Sequence, residues 1–183
     1  MSATDTATAT SYAIDPTHSS VDFAVRHLMI SKVRGSFTAV SGTIRVPATS
    51  LIPSAVSAEI ESASIATHEP QRDTHLKSPD FFNVEAFPRL RFSSTSIVPI
   101  NDTEFTLNGT LEILGTARPV TLAAEVSGSG KDPWGNDRVA YEATTRINRE
   151  DFGLSYNQAL EAGGVLVGKD IDITLNIEAV LAK

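Results

Sequence analysis

The sequence predicts an all-β protein, an eight-stranded antiparallel β-barrel with a short helical insert. Two observations carry this expectation. Apolar and polar residues alternate with period two through most of the 183-residue chain. The alternating runs are separated by turn chemistry rather than by crossover connections, so neighbours in sequence are expected to pair antiparallel.

Taken in order, the first ten residues, MSATDTATAT, are almost all Ser, Thr, Ala and Asp and read as a disordered tail. A single barrel domain is expected over 11–183. The clearest strands are Phe105–Ile113, where every odd position except Gly109 is apolar, and Asp170–Glu178. Weaker alternation marks Ser20–His27, Val33–Val46, Ser54–Ile65, Arg89–Val98, Val120–Val126 and Arg138–Ile147. Asn101-Asp102, Leu114-Gly115-Thr116 and Pro133-Trp134-Gly135-Asn136 are the expected hairpin turns. A meander of long, half-apolar strands loses its open edges most simply by closing on itself.

Two short helical pieces are expected in the insert. One starts near Glu69 with Pro70 at its first position, the other at Ser78 before Pro79. A further turn is expected at 148–153, with an Arg149–Asp151 ion pair. Ala162-Gly163-Gly164 reads as a turn, because no Gly-Lys-Ser/Thr follows as a phosphate loop requires.

Composition removes several functions. A net charge of −7 argues against general binding of nucleic acid or of an anionic membrane over the whole surface. The absence of cysteine rules out disulfides, thiolate metal ligands and a cysteine nucleophile. No signal peptide, membrane-spanning segment or Gly-x-Ser-x-Gly elbow is recognisable, so the expectation is a cytoplasmic protein with no integral membrane segment and no serine-hydrolase chemistry. His68, Arg72 and His75 fall at i, i+4 and i+7, a weak metal-site pattern that Pro70 interrupts. Neither a catalytic constellation nor a metal site nor a cofactor is assigned.

An eight-stranded barrel is either filled by its own side chains or just wide enough for one small ligand. Small residues at Ala24, Ala39, Ala58, Ala123 and Ala143 suit a tube open to an elongated apolar guest, while pattern alone favours a filled core. Ten buried methylenes would contribute on the order of 8 kcal/mol, roughly micromolar affinity before ordering costs. The stretch RHLMISKVRG (26–35) breaks the alternation. Leu28-Met29-Ile30 is an apolar triplet among Arg26, His27, Lys32 and Arg34, in a segment from Phe23 to Ala58 that holds four Lys/Arg and no acid. Two readings stay open: a rim with cations for an anionic head group, or a solvated face paired with neighbouring carboxylates.

Four motifs in this order resemble the YceI-like family: Asp15-x-x-His18-Ser19-x-Val21-x-Phe23, the stretch Arg26–Gly35, Arg72-Asp73-x-His75-Leu76-Lys77-Ser78-x-Asp80-Phe81-Phe82, and Ile147-Asn148-Arg149-x-Asp151-Phe152-Gly153. The resemblance runs from about Tyr12 to Lys183. It implies a lipocalin-like, extended barrel with a hydrophobic tunnel that binds a long amphiphile such as a polyisoprenoid, an isoprenoid quinone or a polyprenyl phosphate, as a carrier, store or sequestering protein and not an enzyme. Family members are often dimeric and often periplasmic. The ligand-binding residues expected here are Phe23, Val25, His27, Leu28, Met29, Ile30, Arg34, Phe37, Arg72, His75, Leu76, Phe81, Phe82 and Phe92. The competing expectations are a metal-dependent enzyme built on His68 and His75, and a filled barrel that works through its surface.

Overall fold

In a computed structural model, which describes residues 8–161 and 163–183, the chain forms one closed antiparallel barrel. Its strands are β1 (Thr10–Ile14), β2 (Ser20–His27), β3 (Ser31–Phe37), β4 (Val40–Val46), β5 (Ala55–Glu61), β6 (Ile65–Ala66), β7 (Arg89–Pro99), β8 (Glu104–Ile113), β9 (Thr116–Lys131), β10 (Asp137–Asn148) and β11 (Val167–Leu181). Three pairs of these are single staves broken once: β1 with β2, β3 with β4, and β5 with β6. Eight staves result. Each pairs with its neighbour in sequence, and β11 closes the ring by pairing with β1 at Tyr12↔Leu181 and with β2 at Val21↔Leu175.

The breaks have local causes. Between β1 and β2, Pro16 lacks an N–H for the ladder, and Asp15 accepts from the Thr17 N–H at 2.9 Å and the Thr17 hydroxyl at 2.6 Å, turning the chain. Between β5 and β6 a 3-10 turn at Ser62–Ser64 intervenes. The β2–β3, β7–β8, β8–β9 and β9–β10 connections are tight turns. Leu114 and Gly115 both have left-handed backbone, with φ 52° and 71°, as a two-residue hairpin turn needs. β9 and β10 extend past the expected strand ends, so Trp134 is carried to the exposed tip of a long hairpin.

Helix α1 (Pro70–Lys77) begins as its sequence requires, with Glu69 as the N-cap accepting from the backbone N–H groups of Gln71 and Arg72. The second expected helix does not form. Ser78 instead ends α1, its hydroxyl donating to the His75 carbonyl at 2.6 Å. The chain then runs through irregular turns to Phe87. The same hydroxyl still accepts from the Asp80 N–H at 3.3 Å, but the Phe82 and Val84 N–H groups fold back onto the Leu76 and Lys77 carbonyls at 2.9 and 3.1 Å instead of continuing a helix. The turn at 148–153 is a 3-10 helix, Arg149–Phe152, capped by Asn148. The expected tail falls mostly outside the described residues, apart from 8–10, of which Thr10 already belongs to β1. Ala162 of the glycine turn also lies outside them. Among the described residues, no helix is long and apolar enough to cross a membrane.

Candidate functional site

Alternation puts one side chain in two inside the barrel, and the inner faces do not meet at the centre. A cavity runs through the barrel, from Ile14 and Pro53 at one end to Val25, Val167 and Arg149 at the other. The centre of a water molecule could range over about 230 Å³ of it. Its wall is almost wholly apolar, with Phe105, Leu107, Leu111 and Ile113 from β8, Leu122 and Ala124 from β9, and Ile171, Ile173, Leu175 and Ile177 from β11 among its members. Where Tyr141 joins the wall, its hydroxyl is turned away to donate to the Leu51 carbonyl at 2.7 Å, and burial pushes its pKa up.

Two phenylalanines show how the wall stays thin. Gly35 lies opposite Phe23 across β2 and β3, and a Cβ on Gly35 would come within 2.5 Å of the Phe23 ring. A Cβ on Gly109 would come within 2.4 Å of Phe92. Each ring occupies space that a side chain on the glycine of the next strand would need. The missing apolar residue at 109 is therefore the space that Phe92 fills.

One end of the tube is closed over by α1 and the turns after it. Leu76, Phe81 and Phe82 reach the cavity from there. The Phe82 ring packs edge-on against Phe37 at 5.5 Å, and His75 does the same against Phe81 at 5.1 Å and Tyr156 at 4.9 Å. The helix is tied to β6 by Asp73, which accepts from the Thr67 N–H at 2.9 Å and the Thr67 hydroxyl at 2.5 Å. Arg72 adds bonds to the Thr67 hydroxyl at 2.7 Å and the Thr67 carbonyl at 2.9 Å.

Arg149 stands at the same end. It is 3 % exposed, the one buried charged residue among those described, and it borders the cavity. Its partners are carbonyl oxygens: Nε donates to Gly168 at 2.8 Å, Nη1 to Leu154, and Nη2 to Val167 at 3.3 Å. The expected ion pair with Asp151 does not form, because the 3-10 turn points Arg149 inward while Asp151 is exposed. Burial lowers the guanidinium pKa, and the neighbouring Glu150 carboxylate offsets this only in part. Sequence reading gave this residue a purely local role. Period two carried the signal that could have found it, since Arg149 continues the inward phase of Tyr141, Ala143, Thr145 and Ile147 on β10.

Of the fourteen residues singled out from sequence, Phe23, Val25, Phe37, Leu76, Phe81, Phe82 and Phe92 lie together on the cavity wall. The other seven lie elsewhere. His27 ends β2 opposite Ser31. Leu28, Met29 and Ile30 form the turn between β2 and β3, outside the tube, because the strand has already ended at His27. Arg34 lines a shallow outer groove with Lys32, His68 and Asp172. Arg72 is bound to Thr67 as described, and His75 Nε2 lies 2.8 Å from Asp80 Oδ2. Of the small residues, Ala58 and Ala143 do line the wall, whereas on β9 it is Ala124 and not Ala123.

His68 and His75 are not brought into one metal-binding cluster. His68 is exposed, with φ 62°, ahead of the helix that carries His75. Among the described residues, the one grouping with ligand reach is Asp15, His18 and Glu178 at the opposite end. Arg138 already supplies its positive charge, with Nη1 at 2.8 Å from Asp15 and 2.7 Å from Glu178.

Comparison with known proteins agrees with this architecture. The model of the YceI-like domain matches residues 12–179. A UPF0312 protein of Staphylococcus aureus is 36% identical over 170 residues, covering 92% of this chain and 96% of its own. Among solved structures, BcnA of Burkholderia cenocepacia superposes with a TM-score of 0.77 at 18% identity, over 91% of this chain and 99% of that one. The YceI protein of Campylobacter jejuni gives 0.74 at 27% identity, over 86% and 90%. A polyisoprenoid binding domain from Saccharophagus degradans gives 0.70 at 13%, over 94% and 99%. The match spans nearly the whole chain and every stave of the barrel, and the protein belongs to the YceI-like family.

Proposed function

We propose that the protein binds one long-chain amphiphilic lipid, a polyisoprenoid or a derivative such as an isoprenoid quinone or polyprenyl phosphate, with its tail in the barrel. On this reading it is a carrier, store or sequestering protein and not an enzyme. The observation that carries the reading is the continuous, apolar-walled cavity from Ile14 to Val167. Apolar walls bind a tail by removing it from water, at about 0.8 kcal/mol per methylene, and need no directional contact along its length. The Saccharophagus degradans neighbour, described as polyisoprenoid-binding, supports the same class of ligand.

Arg149 gives the tube a polar end. A guanidinium has five N–H groups, and three of Arg149's are engaged by carbonyls. The remaining two suit a quinone carbonyl or a phosphate oxygen, placing the head near Arg149 and the tail toward Tyr141.

The test is mass spectrometry of a solvent extract of freshly purified protein, beside native mass spectrometry of the intact complex. One isoprenoid lipid per chain is expected. A protein that emerges empty and takes up neither added prenol nor quinone would end this reading in favour of a barrel that works through its surface. Cell fractionation checks the cytoplasmic placement expected from sequence.

A further inference from the structure

The apolar triplet Leu28-Met29-Ile30, which contributes nothing to the cavity wall, is 38 %, 53 % and 80 % exposed. It is the connection between β2 and β3, with His27 opposite Ser31 and the Ile30 N–H donating to the His27 carbonyl at 3.2 Å. Leu28 and Met29 have left-handed backbone, with φ 53° and 62°. Such positions favour glycine or asparagine, and large L-residues there are strained. The chain thus places large apolar side chains in water, at positions where small polar ones would be more stable.

The surroundings indicate what would cover them. The hairpin carries Arg26, Lys32 and Arg34 close behind its tip, and its one acid, Asp22, lies further back on β2, where it accepts from the Ser20 hydroxyl at 2.7 Å. Neither Arg26 nor Arg34 makes an ion pair among the described residues, while Lys32 lies 3.3 Å from Asp172, which also holds Arg146. Beside the tip, the turn closed by the Ala159↔Val165 bridge adds, among the described residues, half-buried Leu160 and Val165 and the exposed acid Glu161. This turn is anchored to the hairpin, since the Leu28 N–H donates to the Leu166 carbonyl at 2.9 Å. An apolar tip with cations set back from it matches the depth profile of a lipid surface, hydrocarbon first and head-group charge behind. The rest of the chain carries the acid excess, so a −7 body approaching an anionic bilayer is turned hairpin-first.

We propose that this hairpin is a membrane-contact device: Leu28, Met29 and Ile30 enter the hydrocarbon edge of a bilayer, and Arg26 and Arg34 meet anionic head groups. The hairpin sits at the barrel end that holds Arg149 and the α1 closure, with Val25 of the cavity wall three residues from Leu28. A tail leaving the bilayer there reaches the tube with little exposure to water. This last step rests on the lipid-binding reading, whereas the docking itself does not.

The test is co-sedimentation of the full chain with vesicles of phosphatidylcholine alone and of phosphatidylcholine with an equal part of phosphatidylglycerol. Binding to the mixed vesicles is expected, weakening with salt. The double variant L28N/M29G should bind on the order of tenfold more weakly while melting no lower than wild type, since it relieves the left-handed strain. Ile30→Ser, at a position of ordinary backbone, should weaken binding in the same direction. Wild type that stays in the supernatant, or variants that sediment equally well, would overturn the proposal. So would a wild-type dimer by light scattering that becomes monomeric in L28N/M29G with neither form binding vesicles, since the patch would then be a contact between copies. These readouts do not depend on any cargo, so they fail separately from the lipid-extraction test.

Discussion

Gly109 breaks the cleanest alternating run in the chain, and the break is informative. A methyl group there would meet the Phe92 ring at 2.4 Å and the Ser93 carbonyl at 2.6 Å. The ring could swing into the cavity, but the carbonyl belongs to the β7 backbone. Gly109→Ala is therefore expected to destabilise by about 1–3 kcal/mol, the usual range for overpacking, read as a lower urea midpoint at unchanged slope. Arg149 sits at the same scale. Replacing it with Met leaves the carbonyls of Leu154, Val167 and Gly168 without their donor, and also removes a buried charge. The net expectation is a loss of about 2–3 kcal/mol, with amide exchange accelerating first in 154–168. Unchanged exchange there would show that other groups hold the segment. At single residues the sequence was half legible. Phe23, Phe37 and Phe92 were expected as ligand-binding residues and do line the wall, whereas the glycine partners of Phe23 and Phe92 depend on register, which one strand alone does not specify. Arg149, in phase with Tyr141, Ala143 and Ile147, was read instead as a partner of Asp151.

At the scale of elements, period two located the staves because each has one face in the barrel and one in water. It could not show that one stave breaks at Pro16 and another at Ser62–Ser64, since both halves keep the same alternation. The triplet 28–30 was legible as an anomaly and not as a turn, because leucine and methionine are unusual choices for left-handed backbone. At the far end of the barrel, Arg138 on β10 joins three other elements. It pairs with Asp15 before β2, Asp132 at the β9–β10 tip and Glu178 on β11, at 2.7–2.8 Å. The Thr17 hydroxyl and then Arg138 hold the Asp15 carboxyl well below the ordinary range. At Asp132 burial pushes the pKa up, but hydrogen bonds from Asn136, Arg138 and the backbone outweigh it and leave it depressed too. A carboxylate depressed on folding stabilises fully above its unfolded value, about 3.9, and that contribution is lost as pH falls from there toward the folded value. Melting temperature should thus drop more steeply between about pH 5 and pH 2.5 in wild type than in Arg138→Met. Parallel curves would mean that the network does not govern acid stability.

At the scale of the whole molecule, an open and a filled barrel share the same alternating sequence, so the pattern could not choose between them. What distinguishes them is the volume left at the centre, set by how eight staves tilt and by where rings such as Phe23 and Phe92 lie. Ala143 separates the two states experimentally. It lies on β10 between Leu175 of β11 and Ala124 of β9, and its methyl group faces the cavity. In an open tube, Ala143→Phe places a ring in empty, apolar space, so stability should hold or rise while retained lipid falls sharply. In a filled barrel the same ring has nowhere to go, and overpacking should lower stability by about 1–3 kcal/mol. Thermal melts and extracted lipid, measured on one preparation, give both answers. A stable variant with no cargo identifies the tube as the binding site. A stable variant that still carries lipid one-to-one would move the site out of the barrel altogether.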